Sequence, residues 1–192
     1  MLWFILFLGV VCLGSGLVVR GLYVGRFQPV HLGHLRAIQH ILSEVDELVI
    51  VVGSTQLSHE LGNPFTAGER ITMLRLALEE AGISPDRYWI VGVPDAEMHS
   101  VWVSKVVSYC PSFNVVYTNE PLTRRLFVEA GYEVRPVPYF QRHIYSATEV
   151  RRRILNDEDW QELVPRSVAE YIVEIGGVER LKDLARSDKP QA

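Results

Sequence analysis

The sequence predicts an α/β protein: a five-stranded parallel sheet flanked by helices, followed by a helical C-terminal segment. Three observations carry this. Short apolar runs alternate with segments of helical spacing along most of the chain. The run Leu48-Val49-Ile50-Val51-Val52 is apolar at every position, the mark of a strand buried on both faces. Turn and cap signals fall between the runs, among them Thr66-Ala67-Gly68-Glu69 with capping-box spacing and Gly131 closing a helix.

In chain order, Leu17–Val24 reads as the first strand. His34–Ser43 follows as a helix with Leu35, Ile38 and Leu42 on one face. Glu47–Gly53 is the second strand, and the polar stretch to Phe65, broken by Gly62 and Pro64, is a loop. A helix runs from the Thr66 cap to about Ala81. Tyr88–Val93 is the third strand. Ser100–Tyr109 is a helix expected to bury Val101, Val103, Val106 and Val107. Val115–Tyr117, Leu122–Ala130 and Glu133–Val137 complete the alternation as strand, helix and strand. From Ser146 to about Ala185 the pattern is helical, with breaks near Asn156, Pro165 and Gly176-Gly177. The organisation expected is one domain over residues 17–186 and a frayed polar tail over 187–192.

The chain has 192 residues, 48% hydrophobic and 22% charged, enough for one domain with a sizeable core. A formal net charge of -4 excludes a broad nucleic-acid surface, so anionic substrates would need local positive clusters. The basic residues are mostly arginine, which suits bidentate phosphate binding; the lysines are Lys105, Lys182 and Lys189. Cys12 and Cys110 form neither a metal-ligand spacing nor a disulfide framework, which fits a reducing, cytoplasmic setting.

The uncharged stretch Leu2–Val19 is long enough to flag a membrane helix. If its end belongs to the first strand, residues 1–16 would span roughly 24 Å as a helix, short of a bilayer core. Three readings stand side by side: a start placed too early, a membrane-associated segment, or a signal peptide. The last lacks a basic n-region and a small-residue cleavage site. Were the segment an anchor, Arg20 would favour a cytoplasmic catalytic domain.

In a parallel sheet of this kind, ligands sit beyond the carboxyl ends of the strands, near the point where strand order reverses. Gly25-Arg26-Phe27-Gln28-Pro29-Val30-His31-Leu32-Gly33-His34 occupies the turn after the first strand. Gly25 permits close backbone approach, Pro29 stiffens the loop, and Gly33 allows tight packing where the helix begins. His31 and His34 are three apart at a helix start, where free N–H groups and the helix dipole favour phosphate. Arg26 adds a fixed charge. A zinc site would need a third ligand that is not evident nearby.

Ser146-Ala147-Thr148-Glu149-Val150-Arg151 is a second segment of interest. Ser146 can cap the next helix, with Glu149 closing a capping box. Arg151 heads the triplet Arg151-Arg152-Arg153 at a helix start, where the dipole disfavours cations, so a nearby anion would explain it. Arg152 and Arg153 read as solvated or salt-bridged. Pro94–Trp102 follows the third strand, and Thr118-Asn119-Glu120-Pro121 the fourth. Both lie at the ligand edge, although a core Trp and a plain helix cap are the competing readings.

His31-x-Gly33-His34 after a first strand resembles the signature of the nucleotidyltransferase superfamily related to class I aminoacyl-tRNA synthetases. Arg20–His34 and Asn63-Pro64-Phe65-Thr66-Ala67-Gly68-Glu69-Arg70 resemble archaeal-type nicotinamide-nucleotide adenylyltransferases, and the resemblance runs from about Arg20 to Asp188. It implies a Rossmann-like nucleotidyltransferase fold and transfer of an adenylyl group from ATP to nicotinamide mononucleotide, giving NAD and pyrophosphate.

Arg26, His31, His34 and Arg151 would be catalytic. Gly25, Phe27, Gly33, Asn119, Ser146 and Thr148 would bind ATP. Ser146-x-Thr148-x-x-Arg151 is similar to the I-S-x-T-x-x-R motif for the β- and γ-phosphates, with Tyr145 as one extra residue at its front. Asp95, His99 and Trp102 would bind nicotinamide mononucleotide. The family commonly has Asn where His99 stands, and an imidazole there still donates a hydrogen bond. Mg²⁺ would be held mainly by substrate, since no acidic metal cluster is visible. The resemblance also implies a homo-oligomer, commonly a hexamer. The rival readings are another transferase of the superfamily, acting on phosphopantetheine or FMN, and a non-catalytic nucleotide sensor. A nicotinamide-stacking Trp102 argues against the first. Intact His31, His34 and Arg151 argue against the second.

Overall fold

The core is divided in two by the alternation of side chains along the central strands. Leu48, Ile50 and Val52 point into one apolar cluster; Val49 and Val51 point into another. All five are inaccessible to solvent, which is why the run carries no polar residue. The structure is a computed structural model and describes residues 18–138, 140 and 144–186. The leader over residues 1–16 and the tail over 187–192 lie outside the described residues.

Among the described residues, five parallel strands form one sheet: β1 (Arg20–Gly25), β2 (Glu47–Val52), β3 (Tyr88–Gly92), β4 (Val115–Tyr117) and β5 (Glu133–Arg135). Their order is β3-β2-β1-β4-β5, so the order reverses at β1, between β2 and β4. Gly21 pairs with Leu48 on one side and Val115 on the other, and Tyr23 with Ile50 and Tyr117.

One face is covered by α1 (Leu32–Leu42), α2 (Ala67–Glu80), α5 (Ala147–Leu155), α6 (Arg166–Glu174) and α7 (Gly177–Ala185). The other is covered by α3 (Trp102–Tyr109) and α4 (Pro121–Glu129). No helix among the described residues is long and apolar enough to cross a membrane.

Most expected elements are present with shifted ends, and the shifts have causes. β1 begins at Arg20, after Val18 and Val19, and Leu17 lies outside the described residues; just before the strand the Val19 amide donates to Asp46 Oδ2 at 2.8 Å. β5 ends at Arg135 rather than Val137, because the Asn119 side-chain amide takes both backbone groups of Val137, at 2.6 and 3.0 Å. α1 begins two residues earlier than expected, because His31 caps it. Residues His99–Val101 form a 3-10 turn ahead of α3. Only Val103 and Val106 of the four valines are buried, while Val101 and Val107 face solvent: in so short a helix the covered stripe is one residue pair wide.

The Thr66 box at α2 closes in both directions. The Ser146 box at α5 does not. Ser146 Oγ accepts the Glu149 amide at 3.2 Å, but Glu149 turns away to Arg152 and Arg153. α5 is only nine residues long, so Arg152 and Arg153 lie in its last turn, where the dipole favours cations. They are salt-bridged, to Glu149, Glu158 and Glu162, and so need no anionic ligand.

Candidate active site

The turn after β1 is locked by its two histidines. His31 is the N-cap of α1, and its Nδ1 accepts the His34 amide at 3.3 Å. His34 Nδ1 accepts the His31 amide at 3.3 Å in return. This is a capping box made of imidazoles. The rings stack with centroids 3.6 Å apart, and the Phe27 ring lies 4.7 Å from that of His34. With both Nδ1 atoms accepting, each neutral ring carries its proton on Nε2. Burial pushes the His31 pKa down to about 3 and holds His34 well below the ordinary imidazole range, with His31 adding to the shift. Two neutral N–H donors therefore line the cavity beyond the strand ends.

The glycines around this turn serve packing as much as ligand approach. A Cβ on Gly25 would meet the Phe27 ring at 2.8 Å, so the space that Gly25 leaves is filled by Phe27. Phe27 is 1% exposed and sits at φ 53, the left-handed region. A Cβ on Gly33 would come within 3.0 Å of the His31 ring, which accounts for a glycine at the helix start.

Two side chains tie the loop to the rest of the fold. Gln28, 2% exposed, donates to the Phe65 carbonyl at 2.8 Å and accepts the Phe65 amide at 2.9 Å. Its own carbonyl accepts Arg151 Nη1 at 2.6 Å. Burial and the neighbouring Arg26 lower the Arg151 pKa, and among the described residues no carboxylate pairs with it. Arg26 itself is exposed, and among the described residues no carboxylate pairs with it.

The crevice at the strand-order reversal holds two adjoining cavities. The first, about 570 Å³, is bounded by Arg26, Phe27, His31, Gly33, His34, Asn119, Ser146, Thr148 and Arg151. The second, about 320 Å³, is bounded by Gly25, Arg26, Ser54, Asp95, His99 and Trp102. Val24, Arg26, Thr118 and Glu120 line both. Every site residue singled out in the sequence is therefore at the crevice, with Gly25 on the second cavity rather than the first. Asn119 is at the wall, but its amide is taken up by Val137. Glu120 caps α4 through the Leu122 and Thr123 amides, so the turn is a helix cap and a cavity wall at once.

Asp95 is held by residues that no motif announced. Its carboxylate accepts Ser54 Oγ at 3.0 Å and Gln56 Nε2 at 2.8 Å; its amide donates to Gln56 Oε1 at 3.0 Å. Gln28, Ser54 and Gln56 escaped the sequence reading because their partners lie about forty residues away. Among the described residues, no group of three or more His, Cys, Asp or Glu side chains is arranged to hold a metal ion.

Residues 22–153 match the cytidylyltransferase-like family. Over 169 residues the chain is 54% identical to the nicotinamide-nucleotide adenylyltransferase of Thermococcus kodakarensis, covering 88% of this chain and 90% of that protein. The chain belongs to the nicotinamide-nucleotide adenylyltransferase family. The relative of that name from Saccharolobus solfataricus is 49% identical over 170 residues, covering 88% of this chain and 99% of that protein. Among solved structures, a bifunctional NMN adenylyltransferase/ADP ribose pyrophosphatase from Francisella tularensis, complexed with AMP and a manganese ion, superposes with TM-score 0.72 at 23% identity. The match covers 87% of this chain and 52% of that one, so this chain spans about half of the bifunctional protein. A putative nicotinate-nucleotide adenylyltransferase from Vibrio parahaemolyticus superposes with TM-score 0.60 at 13% identity, over 86% and 96% of the two chains. At these identities the structural likeness concerns the fold, the Rossmann-like nucleotidyltransferase architecture. Against the adenylyltransferase motif, the extra Tyr145 packs its ring under the Arg36 guanidinium at 4.7 Å, on the rim of the first cavity.

Proposed function

We propose that this protein transfers the adenylyl group of ATP to nicotinamide mononucleotide, forming NAD and pyrophosphate. The observation that carries the reading is the pair of adjoining cavities sharing Arg26, one lined by neutral histidines and Arg151, the other by Asp95, His99 and Trp102. A nucleotide triphosphate in the first and a mononucleotide in the second would meet at Arg26.

In this reading ATP enters as its divalent-metal complex, with Mg²⁺ the ion proposed. Ser146, Thr148 and Arg151 take the β- and γ-phosphates at the start of α5, and Gly33 and Phe27 shape the pocket. A phosphate oxygen of the mononucleotide forms the new bond to the α-phosphorus. The bond from the α-phosphorus to the bridging oxygen breaks, and pyrophosphate leaves with that electron pair. The nucleophile is already ionised, so no strong general base is required. The Nε2–H groups of His31 and His34, with Arg26 and Arg151, stabilise charge building on the α-phosphate, and the rest is positioning. Asp95, His99 and Trp102 hold the acceptor, with Trp102 offering a face for the base. The relatives' names favour nicotinamide over nicotinate as that base. Dependence on ATP supports a cytoplasmic setting in this reading, and a homo-oligomer is proposed from the family resemblance alone.

Pyrophosphate release from ATP, measured with nicotinamide mononucleotide, nicotinate mononucleotide, phosphopantetheine and FMN in turn, tests the reading. It should be run on the full chain and on a chain starting at residue 17. Release with nicotinamide mononucleotide, and none with phosphopantetheine or FMN, is expected. A preference for either of those would overturn the assignment.

A further inference from the structure

Arg70 touches neither cavity, yet among the described residues it is the largest side chain that is fully withdrawn from water. Among the described residues, no carboxylate is bonded to it. Instead its guanidinium donates to four backbone carbonyls: Nη1 to Arg26 at 2.8 Å and to Gly53 at 2.7 Å, Nη2 to Ser54 at 3.1 Å, and Nε to Thr66 at 3.2 Å. Four of its five N–H donors are used. Burial drives its pKa down to about 10, against the opposing pull of Asp95, so it stays charged at neutral pH. A buried cation satisfied by backbone dipoles alone is costly, and helix packing does not require one.

The two carbonyls that share Nη1 have something in common. Arg26 precedes Phe27, at φ 53, and Gly53 precedes Ser54, at φ 51. Both are left-handed residues with side chains, and both follow the carboxyl end of a strand. One side chain thus holds the two unusual peptides at which β1 and β2 turn into the crevice. From the first, the Arg26 side chain emerges between the cavities; from the second, the Ser54 hydroxyl bonds the Asp95 carboxylate at 3.0 Å.

We propose that Arg70 is a positioning residue for the reaction: it sets the phosphate turn and the acceptor turn in one register, acting through the Arg26 backbone on one side and through Ser54 and Asp95 on the other. This rests on the adenylyl-transfer reading. Lysine, with three donors and no planar fork, cannot span the four carbonyls.

The test compares Arg70→Lys and Ser54→Ala with the unaltered full chain, varying ATP and nicotinamide mononucleotide separately. Arg70→Lys is expected to lose roughly 10²-fold in kcat/KM for both substrates, the scale of an ångström-level misplacement. Ser54→Ala leaves the backbone clamp in place. It is expected to raise KM for the mononucleotide about tenfold, the scale of one hydrogen bond to a charged group, with KM for ATP unchanged. A general loss of stability would not divide the two KM values in this way. A folded Arg70→Lys protein within twofold of the unaltered chain overturns the proposal. So does Ser54→Ala with both KM values unchanged, which decides the matter if Arg70→Lys does not fold. An unaltered chain that releases no pyrophosphate would instead refute the reaction itself.

Discussion

The two halves of the crevice are built differently. On the phosphate side, the donors themselves are set by bonds that span three residues, His31 with His34 in both directions and Ser146 with Glu149, and Gln28 and Arg151 add long-range ties to the loop backbone. On the acceptor side, Asp95 is oriented by Ser54 and Gln56, some forty residues upstream. His99 begins a 3-10 turn that ends just before Trp102, and Met98 ahead of the turn and Val101 within it are 62% and 42% exposed. The two histidines of the phosphate side fix each other's orientation by their mutual bonds and by ring stacking. The acceptor side is shaped by long-range contacts and lies nearer the solvent. That division suits a reaction in which the charge development is always the same and the acceptor must be recognised.

The contrast can be broken most sharply at His34. Its replacement by Ala removes one proposed donor to the α-phosphate and half of the mutual cap, and kcat is expected to fall by at least ~10²-fold. Steady-state pyrophosphate release on a protein with a normal circular-dichroism spectrum measures this, and near-normal turnover would remove His34 from the chemistry. Next in size, Trp102→Ala should raise KM for the mononucleotide about tenfold, the scale of one lost base–aromatic contact, and leave KM for ATP unchanged. If both constants moved together, the halves would not be separable.

Ser146→Ala probes the phosphate side more gently. Losing the α5 cap should cost about 1 kcal/mol in denaturant unfolding, with a rise in KM for ATP alone. An unchanged midpoint would show that the cap contributes nothing.

The smallest effect is one of pH. Folding holds the His31 and His34 pKa values below their unfolded value of about 6.5, so the unfolded chain binds more protons in that range. Their contribution to stability is complete above pH ~6.5 and is lost as the pH falls towards the folded values. Carboxylates with lowered pKa, such as Glu149 beside Arg152 and Arg153, lose stability in the same direction, but only below about pH 4.5. The interval between pH 6.5 and 4.5 therefore isolates the imidazoles. His31→Asn keeps a good N-cap residue and should show a flatter decline of melting temperature there. An identical slope in the variant would mean that His31 is not neutral in the folded protein.

How much was legible in the sequence follows the same division. The apolar run of β2, the alternation of strand and helix, the Thr66 box and the Gly131 stop are local signals, and each element formed where its signal stood. The phosphate turn was equally readable, because His31, Gly33 and His34 interact with one another within a single helical turn. The motif at α5 was readable too, and Arg152 and Arg153 are salt-bridged, one of the two readings the sequence allowed them. The end of α5 at Leu155 puts Arg152 and Arg153 in its last turn, and their partners Glu158 and Glu162 lie beyond it.

What only the tertiary structure decided is how these pieces are held relative to one another. Gly25 makes room for Phe27, a fact set by a backbone turn with positive φ that no spacing encodes. Gln28 ties the first turn to Phe65, Asn119 ends β5 by capturing Val137, and Arg70 gathers four carbonyls from three segments. All three bond mainly to backbone, which every residue possesses, so nothing in the partner's identity marks the pairing. Short-range chemistry leaves a trace in spacing; a long-range bond to a carbonyl leaves none until the chain has folded and brought the two together.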